Sequence, residues 1–219
     1  MTLVFHAASG SPYVWRVWLA LEQRRIPFEL RMLSFDRGDL KTPEFAAVNP
    51  RRRVPAIEHD GFALYESAAI VEYLDEIDAT GPRLFPADLR QRAIVRRMVR
   101  EADQYFAEAL EALVAQLLFT PQAKWSEAAI AHARGTLVDE LARWEQAITG
   151  DFLAGALSAA DFTLFPELAL ALRIAKRKPG LDLDTALGPR LNAWRDRMQA
   201  LDIVQRTWPP HWHAPNLAS

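Results

Sequence analysis

The sequence contains no cysteine among its 219 residues. This absence excludes disulfide bridges, metal sites made of thiolates and a cysteine nucleophile in the protein itself. Thiol–disulfide exchange by the protein is excluded as well, because a mixed disulfide needs a protein thiol. A chain without disulfides carries the default expectation of a cytoplasmic protein.

Long apolar runs and a large net charge are also missing. No apolar run approaches the roughly 18–20 residues that a membrane helix needs. Residues 1–10 lack the basic start and long apolar region of a secretory signal. The formal net charge is −2, which gives no general attraction to nucleic acid or to anionic membranes. Half of the residues are hydrophobic and a quarter are charged, so we expect a globular protein with neither membrane nor nucleic-acid partners.

The most informative stretch covers residues 49–78. A short apolar run, Val54-Pro55-Ala56-Ile57, is followed by a turn at Asp60-Gly61 and a second short run at 62–65. Two short strands joined by Asp-Gly predict a β-hairpin, with the proline near its beginning. A helix is then predicted by apolar residues at offsets i, i+3, i+4 and i+7, namely Ile70, Tyr73, Leu74 and Ile77.

The start of that helix suits an anion. We predict that Ser67 is its N-cap, and position 70 is Ile, so no acidic side chain completes a capping box. Backbone N–H groups at such an end favour a carboxylate or phosphate, and Glu66 beside them would hold an ammonium group. From the residues alone, an ordinary strand-to-helix junction with a solvated Glu and a capping Ser is the favoured interpretation.

The stretch as a whole resembles the glutathione-binding half of the glutathione S-transferases, through NP-x-x-R-VPAI, DG and ESAAIVEYLDE. The resemblance implies a cis Pro55 and a backbone pairing between Val54 and the cysteinyl part of glutathione. It also implies that Glu66 and Ser67 hold the γ-glutamyl end and that Arg53 reaches the glycine carboxylate.

The order of elements at the N-terminus fits this resemblance. Residues 3–7 read as a buried strand, in which His6 is expected to be a hydrogen-bonded strand residue rather than a ligand. Ser11 and Pro12 stand where the N-cap and first residue of a helix belong, and residues 28–33 alternate as a half-buried strand. The order β-α-β, an irregular segment and then β-β-α predicts a thioredoxin-like domain. In the irregular segment, Lys41 is a further candidate contact for glutathione, against the alternative of a solvated lysine.

The loop before the first helix supplies the candidate catalytic residue. Ser11-Pro12-Tyr13-Val14 resembles the Cys-Pro-Tyr-Cys loop of glutaredoxins, and it lies where serine-type transferases keep their catalytic hydroxyl. Lowering a thiol pKa by ~2 units needs roughly 2.7 kcal/mol, and a hydrogen bond to a charged acceptor contributes ~1.5–3 kcal/mol. Ser11 is therefore the candidate to hold the glutathione sulfur as a thiolate. Two alternatives stay open: Ser11 only caps the helix, or Ser9 contacts the sulfur.

The second half of the chain is predicted to be helical throughout. Apolar residues step by three and four along two long amphipathic helices, at Val95, Val99, Ala102, Phe106, Ala109 and Leu113 and at Ile130, Ala133, Leu137, Leu141, Trp144 and Ile148. Ser158-Ala159-Ala160-Asp161 predicts a capping box before a buried helix.

In the tail, Trp208 and Trp212 are expected to pack over the helical domain. A metal site at His211 and His213 is disfavoured because two ligands are too few.

Together these features predict a glutathione S-transferase fold. Its parts are a thioredoxin-like α/β domain at 1–78, a linker at 79–87 and an all-helical domain with the electrophile pocket at 88–219. For that pocket, Tyr105, Phe106 and Trp208 are guesses. The resemblance implies a homodimeric enzyme that uses glutathione as co-substrate, needs no metal and acts on a hydrophobic electrophile.

Three alternatives remain at this stage. One is a zeta-like isomerase of a cis-alkenyl keto acid (maleylacetoacetate type), which Trp15-Arg16-Val17 and Pro166 favour. Ser11-Pro12-Tyr13 disfavours it, because zeta members carry Ser-Ser-Cys there. The second is a non-catalytic binding or regulatory protein that keeps the fold. The third is a nucleic-acid binder built on the basic run 51–53, which has little support.

Overall fold

The computed structural model describes residues 2–77 and 79–212. Within them the chain forms two compact units. The first unit runs as far as Phe85 and also includes the C-terminal segment that begins at Asp202; the second runs from Pro86 to Leu201. The C-terminal segment therefore belongs to the thioredoxin-like unit, whereas the sequence had placed it in the helical domain.

The first unit has the predicted element order. Its four-stranded sheet has the order β2-β1-β3-β4, with β1 parallel to β2 and antiparallel to β3, and β3 antiparallel to β4. The hairpin around Asp60-Gly61 is confirmed. The elements are β1 Leu3–Ala7, α1 Pro12–Arg24, β2 Glu29–Met32, α2 Pro43–Val48, β3 Ala56–His59, β4 Phe62–Tyr65 and α3 Ser67–Glu76.

Strand β1 is the buried centre of this sheet, and all five of its residues are buried. His6 is one of them, and its Nε2 lies 2.7 Å from Glu58 Oε1, so the expectation of a hydrogen-bonded strand histidine is confirmed. Strand β2 is exposed along its whole length. The predicted half-buried strand is wrong on this point, because β2 is the outermost strand of the sheet.

The strand register brings three loops to the same end of the sheet. His6, near the end of β1, is opposite Ala56, the first residue of β3. Ala56 is in turn opposite Tyr65, the last residue of β4. The loop that follows β1, the residues before β3 and the start of α3 therefore converge.

A buried ion pair fixes the end of α3. Arg24, at the end of α1, lies 3.6 Å from Asp75 through its Nε atom, and both side chains are about 3% exposed. Arg24 also donates to the carbonyls of Leu74 and Gly81, while Asp75 accepts from the Leu84 amide at 2.6 Å. Removing one partner of such a pair leaves a buried charge without compensation, which typically costs about 3–5 kcal/mol.

The second unit is helical, as predicted. Its helices are α4 Leu89–Glu101, α5 Ala107–Leu117, α6 Glu127–Ala147, α7 Ala159–Ala175 and α8 Pro189–Ala200, with a π-helical turn at Ala102–Phe106 joining α4 to α5. The twelve apolar positions predicted to face the core are all buried. The capping box formed by Ser158 and Asp161 at the start of α7 is confirmed. No helix within the described ranges is long and apolar enough to cross a membrane.

The C-terminal segment of the first unit packs on α1. It comprises helix α9, Asp202–Thr207, and a 3₁₀ turn at Pro210–Trp212. The buried Trp15 of α1 donates from Nε1 to Thr207 Oγ1 at 2.8 Å. The rings of Trp208 and Trp212 meet Trp15 edge-on, with centroid distances of 5.0 and 5.6 Å. The tail tryptophans thus anchor this segment to α1, which corrects the expectation that they pack over the helical domain.

Candidate active site

Ser11 lies at the amino end of α1. It is the N-cap, its Oγ accepts a hydrogen bond from the Val14 amide at 3.4 Å, and Pro12 is the first helical residue, as predicted. This bond is long for an N–H···O contact and uses the oxygen only as an acceptor. The hydroxyl hydrogen of Ser11 can therefore donate to a further group while the cap is kept.

The amino end of α3 differs from the prediction. Glu66, not Ser67, occupies the N-cap position, with a backbone φ of 72° and no side-chain hydrogen bond to the helix. Ser67 is the first helical residue and is buried, and its Oγ accepts a hydrogen bond from Arg16 Nη2 at 2.7 Å. The N-cap prediction for Ser67 is wrong, because this hydroxyl turns towards Arg16 of α1. The helix start therefore has no side-chain cap and a buried guanidinium beside it.

The loop before β3 has the expected backbone. The Val54–Pro55 peptide bond is cis, as the resemblance predicts. The buried Asn49 supports the loop, since its Nδ2 donates to the Arg53 carbonyl at 2.6 Å. Arg53 itself has an exposed side chain. Lys41 is also exposed and ends a 3₁₀ turn, Asp39–Lys41.

A cleft of about 340 Å³ lies beside the first loop. Ser9 and Ser11 line it, and the remaining walls come from β2, α1 and the C-terminal segment. These walls are mainly apolar and include Val14, Trp15, Trp18, Leu30, Met32, Pro209 and Pro210. Such a lining suits a hydrophobic small molecule held next to a few hydroxyl groups.

No group of three or more His, Asp or Glu side chains within residues 2–77 and 79–212 is placed to hold a metal ion. Of the two tail histidines, His211 lines the cleft, and His213 lies outside the described residues.

Comparison with known proteins identifies the family. Residues 10–77 match the family model described as glutathione S-transferase, N-terminal domain, and residues 127–197 match the corresponding C-terminal domain. The chain is 34% identical to maleylacetoacetate isomerase of Rattus norvegicus over 211 residues, which is 94% of this chain and 92% of the relative. It belongs to the glutathione S-transferase family.

Other members give the same result. Glutathione S-transferase A of Pleuronectes platessa is 29% identical over 218 residues, covering 97% of this chain and 92% of that protein. The crystal structure of a glutathione S-transferase from the Antarctic clam Laternula elliptica superposes with a TM-score of 0.84 at 26% identity. That match covers 99% of this chain and 96% of the clam chain. The predicted fold is thereby confirmed.

The structure also shows contacts that the sequence did not reveal. One is the contact of the buried Arg16 with Ser67, for which a charged residue within the apolar pattern of α1 is a usable sequence signal. No sequence signal joins Ser9 to His211, because 202 positions separate them.

The three guesses for the electrophile pocket fall in different places. Tyr105 is exposed and lines a separate cleft of the helical unit, together with Arg97, Glu101, Glu140, Arg143, Trp144 and Ala147. Phe106 is fully buried. Trp208 belongs to the aromatic cluster on α1.

Proposed function

We propose that this chain is a glutathione transferase that activates the thiol of glutathione for attack on a hydrophobic, electrophilic small molecule. The observation that carries the proposal is the convergence of three segments at one end of the sheet: the loop with Ser11, the Val54–Pro55 peptide and the uncapped start of α3. Each segment offers groups that suit a different part of glutathione.

The start of α3 fits the γ-glutamyl end. Its backbone N–H groups have no side-chain cap, so they suit the α-carboxylate. The buried Arg16 orients the Ser67 hydroxyl and adds positive charge near this helix end. Glu66 is exposed, and its carboxylate would pair with the α-ammonium group.

The remaining groups would hold the rest of the tripeptide. The Val54 backbone precedes β3 and would pair with the cysteinyl part. Arg53 and Lys41 are both exposed, and they would reach the glycine carboxylate. Glutathione supplies the nucleophilic sulfur, since the chain has no cysteine.

Ser11 would stabilise the thiolate. Its hydroxyl donates to the sulfur while its oxygen continues to accept from the Val14 amide. A hydrogen bond to a charged acceptor contributes about 1.5–3 kcal/mol, and the positive end of the α1 dipole adds about 0.3–1 kcal/mol. Together these contributions, about 1.8–4 kcal/mol, would lower the thiol pKa by ~1–3 units, at 1.36 kcal/mol per unit.

The test is the ultraviolet absorbance of the bound thiolate, followed as a function of pH. We expect wild-type protein to lower the thiol pKa of glutathione and Ser11→Ala to return it towards the value of free glutathione. Since alanine also removes the cap, at about 0.5–2 kcal/mol of stability, Ser11→Thr is the matched control: it keeps both the cap and the hydroxyl. A wild-type complex whose thiol is unshifted would show a binding protein without this catalysis.

A second candidate activity is glutathione-dependent isomerisation of a cis-alkenyl keto acid. The relative with 34% identity is named maleylacetoacetate isomerase, and this chain carries Trp15-Arg16-Val17 beside the site. Assays of such a substrate and of aryl halides, run on the same preparation, separate the two activities. We also propose a homodimer, as the family resemblance implies, which sedimentation equilibrium would test.

A further inference from the structure

A histidine from the far end of the chain lies against the loop that contains Ser11. His211 Nδ1 is 3.0 Å from Ser9 Oγ, two residues before Ser11. The ring also lies close to Gly10, whose φ is 89°: a Cβ added there would be 3.0 Å from His211 Nε2. A glycine at position 10 thus permits both the left-handed backbone and the close approach of the imidazole.

The position of His211 is fixed by packing on both sides. Trp212, the next residue, meets Trp15 edge-on, and the Thr207 hydroxyl accepts from the Trp15 indole. Arg206 Nη2 lies 2.9 Å from Glu22 Oε2 of α1. These contacts hold the segment on α1 at several points, so the imidazole has a defined place beside Ser9.

The cleft next to Ser9 contains no other titratable side chain among its described lining residues. Charged and titratable side chains on the surrounding strands and helices have partners of their own: Arg206 with Glu22, Arg31 with Glu29, Arg16 with Ser67, Arg24 with Asp75 and His6 with Glu58. Asp202, at the start of α9, is exposed. His211 is therefore the one described lining residue of this cleft that can exchange a proton near neutral pH.

We propose that His211 is the proton acceptor for the glutathione thiol and that the Ser9 hydroxyl relays the proton. This inference rests on the proposed function. In the step, the S–H bond breaks and its proton passes to Ser9 Oγ, while the Ser9 O–H proton passes to His211 Nδ1. The products are a thiolate and an imidazolium, so atoms and charge balance, and Ser9 regains its hydroxyl.

The geometry meets the requirements of this step. Neutral His211 must carry its hydrogen on Nε2, so that Nδ1 accepts from Ser9. A serine–histidine hydrogen bond of 3.0 Å lies within the range in which a base acts on a hydroxyl. His211 is also exposed, which lets water take the proton from the imidazolium once the sulfur has reacted. In this scheme Ser9 and His211 remove the proton of the glutathione thiol, and Ser11 stabilises the thiolate that results.

The decisive measurement is the number of protons released per thiolate formed when glutathione binds. Calorimetric titrations in two buffers of different ionisation enthalpy give the protons released, and ultraviolet absorbance gives the thiolate formed. S-Methylglutathione, which has no thiol proton, reports the protons exchanged by other groups. A pH of about 7.5 suits the experiment, because an unperturbed imidazole, with a pKa of about 6.5, is then mainly neutral.

In wild-type protein we expect well below one proton released per thiolate, because His211 retains the proton beside the thiolate. In His211→Gln we expect about one per thiolate, since the coupled acceptor is gone. Ser9→Ala removes the relay but leaves the proton acceptor, so it should keep the wild-type ratio at equilibrium and slow the formation of the thiolate, as followed by stopped-flow absorbance. Ser9→Thr should restore the wild-type rate. His132→Gln, on an exposed position of α6, is the matched control and should not change the ratio.

The alternative outcomes separate the two proposals. Equal ratios in wild type and His211→Gln overturn this inference and leave His211 as an anchor of the C-terminal segment, while the transferase proposal stands. If wild-type protein does not bind glutathione, or binds it without forming a thiolate, the transferase proposal fails and this inference fails with it.

Discussion

Helices α3 and α7 both begin beside a serine, but only α7 has its amino end capped by side chains. At α7, Asp161 accepts from the Ser158 amide at 2.9 Å and from the Ser158 hydroxyl at 3.0 Å. At α3, the N-cap residue Glu66 gives the helix no side-chain hydrogen bond. Ser67, in turn, accepts a hydrogen bond from Arg16. One helix end is closed by its own side chains and the other is left open.

The difference separates a structural helix end from a binding one. The amino end of a helix carries N–H groups without internal partners and a partial positive charge. At α7 a carboxylate of the protein already occupies this position, and Asp161 is completely buried. At α3 no carboxylate of the protein caps the helix, and the adjacent guanidinium of Arg16 raises the attraction for an anion from outside.

The largest effect is expected on stability, from a substitution in the capping box of α7. Asp161 also accepts from the Leu153 amide at 2.9 Å and from Trp194 Nε1 at 2.8 Å. Asp161→Asn places an amide NH₂ group opposite buried N–H and O–H donors. Each donor that is left without an acceptor costs about 1–3 kcal/mol. We expect a loss of about 3 kcal/mol in the free energy of unfolding, measured by denaturant titration. Asp196→Asn, at an exposed position of α8, is the control and should change stability little.

The pH dependence of stability gives an independent check on Asp161. Burial raises the pKa of this carboxyl, while hydrogen bonds from Leu153, Trp194 and Ser158 oppose that effect. A pKa that is higher in the folded state means that the folded protein binds the proton more tightly. The contribution of Asp161 to the unfolding free energy therefore decreases as the pH rises from the unfolded pKa through the folded one. Asp161→Asn should lack this decrease, and an identical pH slope in both proteins would contradict the assignment.

A smaller effect is expected at the open end, and it should appear in ligand affinity. Ser67→Ala removes the hydroxyl that accepts from Arg16 and lies at the proposed γ-glutamyl site. Hydrogen bonds to charged groups contribute about 1.5–3 kcal/mol, so we expect the Kd for glutathione to rise about tenfold or more. Calorimetric titration measures this change.

Two variants define what the Ser67 result means. Ser67→Thr keeps a hydroxyl and should retain most of the affinity. Ser126→Ala removes the cap of α6, where the serine oxygen accepts from the Ala129 amide at 3.2 Å. It should lower stability by about 1 kcal/mol and leave the Kd for glutathione unchanged. An unchanged Kd in Ser67→Ala would remove α3 from the proposed site.

Most of the fold could be predicted, because local patterns specify it. The Asp60-Gly61 turn specifies the hairpin, Ser158 with Asp161 specifies the start of α7, and apolar spacing identifies the buried faces of the long helices. The cap of α3 could not be predicted in the same way. Serine is a preferred N-cap residue and glutamate is not. The observed cap at Glu66 accompanies the contact of Ser67 with Arg16, which approaches from another helix.

The candidate site was predictable only in part, for a related reason. Ser11 and Pro12 form a local helix-start motif, whereas the cis bond between Val54 and Pro55 was expected only from the family resemblance. The contact of His211 with Ser9 depends on where the C-terminal segment docks, and that is decided by the packing of Trp208 and Trp212 on Trp15. Aromatic residues near the end of a chain do not specify the surface on which they pack.

The smallest effect, and the sharpest test of the open helix end, concerns Glu66. Its φ of 72° lies in a region that glycine adopts readily and other residues adopt at a cost of about 1–3 kcal/mol. Glu66→Gly should therefore raise the free energy of unfolding by about 1 kcal/mol, after allowance for the greater entropy of glycine in the unfolded chain. It should also weaken glutathione binding, because the carboxylate that would pair with the α-ammonium is gone.

Glu66→Gln separates these two effects, since it keeps the backbone conformation and removes only the charge. We expect its stability to equal that of wild type and its glutathione affinity to fall as far as in Glu66→Gly. Denaturant unfolding and calorimetric titration of the three proteins provide the comparison. If Glu66→Gln binds glutathione as tightly as wild type, the ammonium group is held elsewhere. If Glu66→Gly is less stable than wild type, the backbone at position 66 is not strained. In that case the uncapped start of α3 would carry no cost in backbone strain at Glu66.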